Sequence, residues 1–69
     1  MSKTRVNFCA SGYGSETRTF KSKNVAQKHI ERDAEEVAAG NGGEVVDYGN
    51  GEWVVITRDG EEIARWEIR

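Results

Sequence analysis

The stretch Glu44-Val45-Val46-Asp47-Tyr48-Gly49-Asn50-Gly51-Glu52-Trp53-Val54-Val55-Ile56-Thr57-Arg58-Asp59-Gly60-Glu61-Glu62-Ile63-Ala64-Arg65-Trp66-Glu67-Ile68 organises this chain. Its apolar runs are interrupted twice, at Asn50-Gly51 and at Asp59-Gly60, and these dipeptides are the strongest short-range hairpin signals. A three-stranded antiparallel meander is therefore expected. Two-residue loops at both sites place Tyr48 opposite Trp53, Val46 opposite Val55, Val55 opposite Ala64 and Trp53 opposite Trp66. One face then carries Val46, Tyr48, Trp53, Val55, Ala64, Trp66 and Ile68, with its aromatics in a row. The other carries Val45, Val54, Ile56 and Ile63 among Asp47, Arg58, Glu61 and Arg65, with Arg58 opposite Glu61.

Upstream, Val6, Phe8 and Ala10 alternate with Arg5, Asn7 and Cys9, which is the period of a half-buried strand. Ser11-Gly12-Tyr13-Gly14-Ser15 is rich in turn formers, and Thr17-Arg18-Thr19-Phe20 has the content of a short second strand. The Gly12-Tyr13-Gly14 run completes neither dinucleotide-binding nor Walker spacing and leads into a strand, so it is a turn. Tyr13 at its tip is either a contact residue or folds back on the sheet.

Ser22 is placed to cap a helix over Lys23–Ala39, with Gly40 at its C-terminal turn. Ala26, Ile30, Ala34, Val37 and Ala38 recur at helical spacing and form its buried stripe. Lys28, Arg32 and Glu35 lie opposite, where Lys28–Glu31, Arg32–Glu35 and Arg32–Glu36 fall at pairing distance. The fold class expected is α+β, in the order β-β-α-β-β-β, with one helix on one face of an antiparallel sheet. The helix is expected on the aromatic face, where small Ala64 leaves room for its backbone. Val45, Val54, Ile56 and Ile63 then form an exposed aliphatic patch suited to a protein interface or a homodimer. The opposite docking leaves Tyr48, Trp53 and Trp66 exposed instead, a platform for single-stranded nucleic acid or a protein hot spot.

The 69 residues are expected to make a single domain, 1–69, with one modest core, because so short a chain buries only about 60% of its unfolded surface. Cys9 is the single cysteine, so no internal disulfide forms, and no Cys/His spacing matches a metal site. No cofactor is expected. No apolar run approaches the roughly 18 residues of a membrane span. The basic start Met1-Ser2-Lys3-Thr4-Arg5 lacks the apolar centre of a signal peptide, so a cytoplasmic location is expected.

Charge is divided along the chain. Residues 1–30 carry six cations against Glu16, whereas residues 31–69 carry four against eleven acids, within a net charge of −2. A fold this small brings the halves together, so the division marks either mutual neutralisation or an interaction surface. Lys21 and Lys23 crowd the positive end of the helix against its macrodipole, which makes that end either an anion site or a solvated charge cluster that the fold tolerates. His29 has no Ser, Cys or metal-ligand partner in the pattern and reads as a packing or surface residue. With one His, one Cys and no convergent acid–base set, the chain reads as non-enzymatic.

The order of elements, with Asn50-Gly51-Glu52-Trp53 at one turn and Arg58-Asp59-Gly60-Glu61 at the next, resembles a small phage anti-CRISPR protein of the kind that inhibits type I-F surveillance complexes. The likeness spans nearly the whole chain and lies in turn and core positions. It implies a phage-encoded, non-enzymatic inhibitor, acting in the host cytoplasm, that docks on Cas subunits and hinders target DNA from pairing with the guide. Phe20-Lys21-Ser22-Lys23, leading into the helix, also resembles the strand-strand-helix end of double-stranded-RNA-binding domains, although the first helix of that fold has no counterpart here. The leading expectation is a protein-binding module, with a nucleic-acid-binding module using the basic first half as the alternative. Candidate partner-binding residues are Tyr13, Arg18, Lys21, Lys23, Lys28, Val45, Ile56 and Ile63.

Overall fold

The computed structural model describes residues 3–69, so Met1 and Ser2 of the basic start lie outside the described residues. Strands β1 (Thr4–Ala10) and β2 (Gly14–Phe20) precede helix α1 (Lys23–Asn41), and β3 (Glu44–Asp47), β4 (Glu52–Ile56) and β5 (Glu62–Ile68) follow it. The strands form one antiparallel sheet in the order β2-β1-β5-β4-β3. This is the α+β, β-β-α-β-β-β architecture expected from the sequence.

The Ser22 hydroxyl accepts from the Val25 N–H at 3.3 Å and caps α1 as expected. The other end differs. Gly40 stays helical, and the left-handed residue is Gly42, at φ 65°, where a side chain would be strained. The Gly43 N–H then reaches back to the Ala38 carbonyl at 2.9 Å, a six-to-one closure that satisfies a terminal carbonyl. The helix runs two residues further than expected, and Ala38 is buried with Ala26, Ile30 and Ala34, as its place on the stripe requires. Gly43 is glycine for a different reason: a Cβ there would stand 2.8 Å from the Ile56 carbonyl oxygen.

The helix packs on the face holding Val6, Trp53, Val55, Ala64 and Trp66, all buried with its alanine stripe and Ile30. Trp53 opposes Trp66 and Val55 opposes Ala64, as the sequence register requires. The β3 register is shifted by one residue, because the first meander loop has three residues, Gly49-Asn50-Gly51. It is closed by Tyr48 N–H to Glu52 O at 3.1 Å. Val45 therefore opposes Val55, and Val46 opposes Val54. A one-residue slip exchanges the faces of a strand. Val45 packs against the helix-side core, and Tyr48 is exposed and takes no part in an aromatic row.

The second loop also has three residues, Arg58-Asp59-Gly60, with Thr57 N–H bonded to Glu61 O at 2.9 Å. Arg58 lies in the loop, so the expected Arg58–Glu61 cross-strand pairing is replaced by Thr57 and Glu61. A register irregularity at Val55/Ile56 then leaves Ile63 as an extra residue in β5 and restores the Val55–Ala64 pairing. Ile63 packs against the helix-side core.

The expected aliphatic patch is thereby dismantled. Val45 and Ile63 join the core, and Val54, on the outer face, is fully buried between Val46 and Arg65 in the ladders. Arg65 bonds Glu62 through Nε at 3.1 Å and Nη2 at 2.8 Å and also pairs with Glu52. It offsets the like charges of Glu52 and Glu67, which stand directly opposite each other. These hydrogen bonds hold the Glu62 carboxyl below its ordinary pKa and raise that of Arg65.

Candidate partner-binding groove

Helix and sheet part company at the β1–β2 end. Phe8 and Phe20 stand on the helix face of the hairpin, and only part of each is covered. A cavity of about 180 Å³ remains between them and α1, floored by Val6, Phe8, Trp66, Phe20 and Val37. Phe8 packs on Trp66 with ring centroids 5.1 Å apart, at a tilt of 40°. Phe20 packs on the His29 ring at 5.0 Å.

A polar chain runs along the rim. The Tyr13 hydroxyl donates to Glu16 Oε1 at 3.1 Å, and Arg18 Nε donates to Glu16 Oε2 at 3.3 Å. Arg18 Nη1 lies 3.5 Å from His29 Nε2, which is itself 3.0 Å from Asp33 Oδ2. One ring nitrogen cannot both donate to Asp33 and accept from Arg18. The shorter contact decides: Nε2–H donates to Asp33, and Arg18 lies alongside the imidazole. Glu36 completes the rim, which therefore carries three carboxylates beside Arg18 and His29.

Local sequence explains each position. Glu16 and Arg18 are two apart on β2, so they share its helix face, and His29 and Asp33 are four apart on α1, one turn above each other. The ion pair on the helix among the described residues is His29–Asp33, not the expected pairs of Lys28 or Arg32 with their neighbouring glutamates. His29 thus has partners that the sequence reading did not assign to it. The His-x-x-x-Asp spacing was the available signal.

Of the candidate contact residues, Tyr13 and Arg18 line this groove together. Tyr13 folds back on the sheet, packing against Phe8 at 5.7 Å, and stays 65% exposed. Lys21, Lys23 and Lys28 are exposed and outside the groove. Ile56 is half-buried and lines a separate, polar depression with Arg58 and Gly43. Comparison with protein families, curated proteins and solved structures returned no match to this chain, so the groove's own chemistry carries the functional reading.

Proposed function

We propose that the chain is a small protein-binding module whose partner docks in the groove between α1 and the β1–β2 hairpin. The observation that carries this reading is Tyr13. It is an exposed aromatic held by Phe8 and Glu16 at the mouth of an apolar cavity, the arrangement of an interface anchor whose side-chain entropy is already spent. The cavity takes one or two apolar side chains, and the carboxylates of Glu16, Asp33 and Glu36 favour a partner that presents cations around them.

The resemblance in turns and element order makes a type I-F CRISPR surveillance complex the first partner to test. On that reading the chain is a phage-encoded inhibitor that occupies Cas subunits and blocks target DNA hybridisation. Purified surveillance complex, titrated with the chain, should lose target DNA binding. Tyr13→Ala should weaken the inhibition by about 30-fold, the effect of losing a hot spot of about 2 kcal/mol. Undiminished DNA binding at saturating excess sinks the CRISPR assignment, and equal potency of Tyr13→Ala sinks the groove.

The nucleic-acid alternative draws on Lys21, Lys23 and Lys28, which are exposed. The acidic groove rim repels phosphate, so the isolated chain should barely bind DNA or RNA at physiological salt. Tight, salt-dependent binding lost on charge reversal of those lysines would favour the alternative. No described helix is long and apolar enough to cross a membrane.

A further inference from the structure

β2 is an edge strand of seven residues, and its backbone on the open side can be assigned. Ser11 N–H bonds Ile63 O at 2.9 Å and Arg69 N–H bonds Arg5 O at 2.8 Å, so odd-numbered backbone groups of β1 point to β5. Even-numbered groups of β1 therefore point to β2. They meet Gly14, Glu16, Arg18 and Phe20 in the β1–β2 register. The N–H and C=O groups of Ser15, Thr17 and Thr19 are left on the free edge, which is neither short nor covered nor interrupted by proline.

We propose that a second copy of this chain docks there, through antiparallel pairing of β2 with β2 about a two-fold axis at Thr17. The sequence Gly14-Ser15-Glu16-Thr17-Arg18-Thr19-Phe20 complements itself about its centre. Thr17 faces Thr17 of the second copy, and Ser15 faces Thr19 in both directions, so all six outward groups of each strand are bonded. Glu16 of each copy faces Arg18 of the other at the non-hydrogen-bonded positions, where side chains approach most closely and opposite charges stabilise a strand pair. Gly14 faces Phe20, and beyond its two chain neighbours nothing lies within 4 Å of where a Cβ on Gly14 would stand. A ring can lie across that glycine, a pairing that stabilises sheet edges. The register that satisfies the backbone also matches the charges, as an isologous two-fold interface requires.

The existing Glu16–Arg18 contact within one strand is compatible with this pairing, since a carboxylate accepts about four hydrogen bonds and a guanidinium donates five. Each dimer then carries a four-charge network beside two grooves on the same face of a ten-stranded sheet.

Sedimentation equilibrium of the unmodified chain should show a monomer–dimer equilibrium at concentrations up to about 1 mM. Glu16→Arg and Arg18→Glu should each weaken self-association by about ten-fold or more, because each places like charges opposite one another at two positions. A one-to-one mixture of the two variants should associate again, since every position 16 then faces a position 18 of opposite charge. In the unmodified chain, the amides of Ser15, Thr17 and Thr19 should exchange slowly at high concentration and fast on dilution. A chain monomeric throughout overturns the proposal. So does a single variant that dimerises as tightly as the parent, a mixture that does not recover, or edge amides whose exchange ignores concentration.

Discussion

The two ends of the sheet meet the same helix differently. At the β3–β4 end the chain leaves α1 through Gly43, close enough to the Ile56 backbone to exclude a methyl group, and Ala34 and Ala38 are buried. At the β1–β2 end Phe8, Phe20 and Trp66 hold the surfaces apart around a cavity of about 180 Å³. Small residues on the helix allow close approach only where the sheet presents Val55 and Ala64. Charged Glu16 and Arg18, on the helix face of β2, could not be buried without losing their hydration. Buried side chains are therefore concentrated on α1 and the meander, and the hairpin end keeps its apolar surface open.

The largest effect should come from removing the indole at the closed end. Trp53→Ala, at a site 4% exposed, should cost about 3–5 kcal/mol in urea unfolding. That is much of the stability of so small a domain. Phe20→Ala, at the open end, should cost only about 1–2 kcal/mol, because the ring is half-buried and borders the cavity. Equal losses would mean that the two ends are packed alike.

Two glycines three residues apart give a smaller contrast of opposite sign. Gly43→Ala should destabilise by about 1–3 kcal/mol, since its Cβ meets backbone that cannot give way. Gly40→Ala, within the helix and facing open space, should stabilise by about 0.5–1 kcal/mol. If Gly43→Ala is harmless, the close crossing at the β3 end is wrong.

The smallest effect concerns pH. The folded-state pKa of Glu62 is depressed, so its contribution is complete above the unfolded value of about 4.3 and is lost as pH falls through the lower folded value. Glu62→Gln should therefore flatten the decline of the urea midpoint in that acidic window and leave the slope above about pH 5 unchanged. An identical acid profile in the variant would remove Arg65–Glu62 as a source of stability on the outer face of the meander.

Much of this architecture is legible residue by residue. Ser22 caps the helix because its hydroxyl can reach a free N–H, Ala26, Ile30, Ala34 and Ala38 share one face because the helix repeats every 3.6 residues, and Val6, Phe8 and Ala10 share one because a strand repeats every two. The Trp53–Trp66 and Val55–Ala64 pairs are equally readable, though the reason is partly fortuitous: the three-residue loop and the extra residue at Ile63 offset one another. The groove was only half visible. Tyr13 and Arg18 could be named, but not Glu16, His29 and Asp33 as their neighbours, because β2 and α1 are brought together by packing on β1.

Local chemistry thus sets the kind and order of the elements, the helix cap and the central strand pairs, since each depends on a few neighbouring residues. Packing sets the rest. Gly49-Asn50-Gly51 can close a loop of two residues or three, and Val45 and Val46 are alike, so nothing local chooses which valine goes inward. The choice is made from the other end of β3, where Gly43 passes Ile56 and places Glu44 opposite it. Packing likewise places the turn at Gly42 in place of Gly40. Both can turn the chain, but the later one lets the Gly43 N–H close on the Ala38 carbonyl and sets Gly43 against the Ile56 backbone.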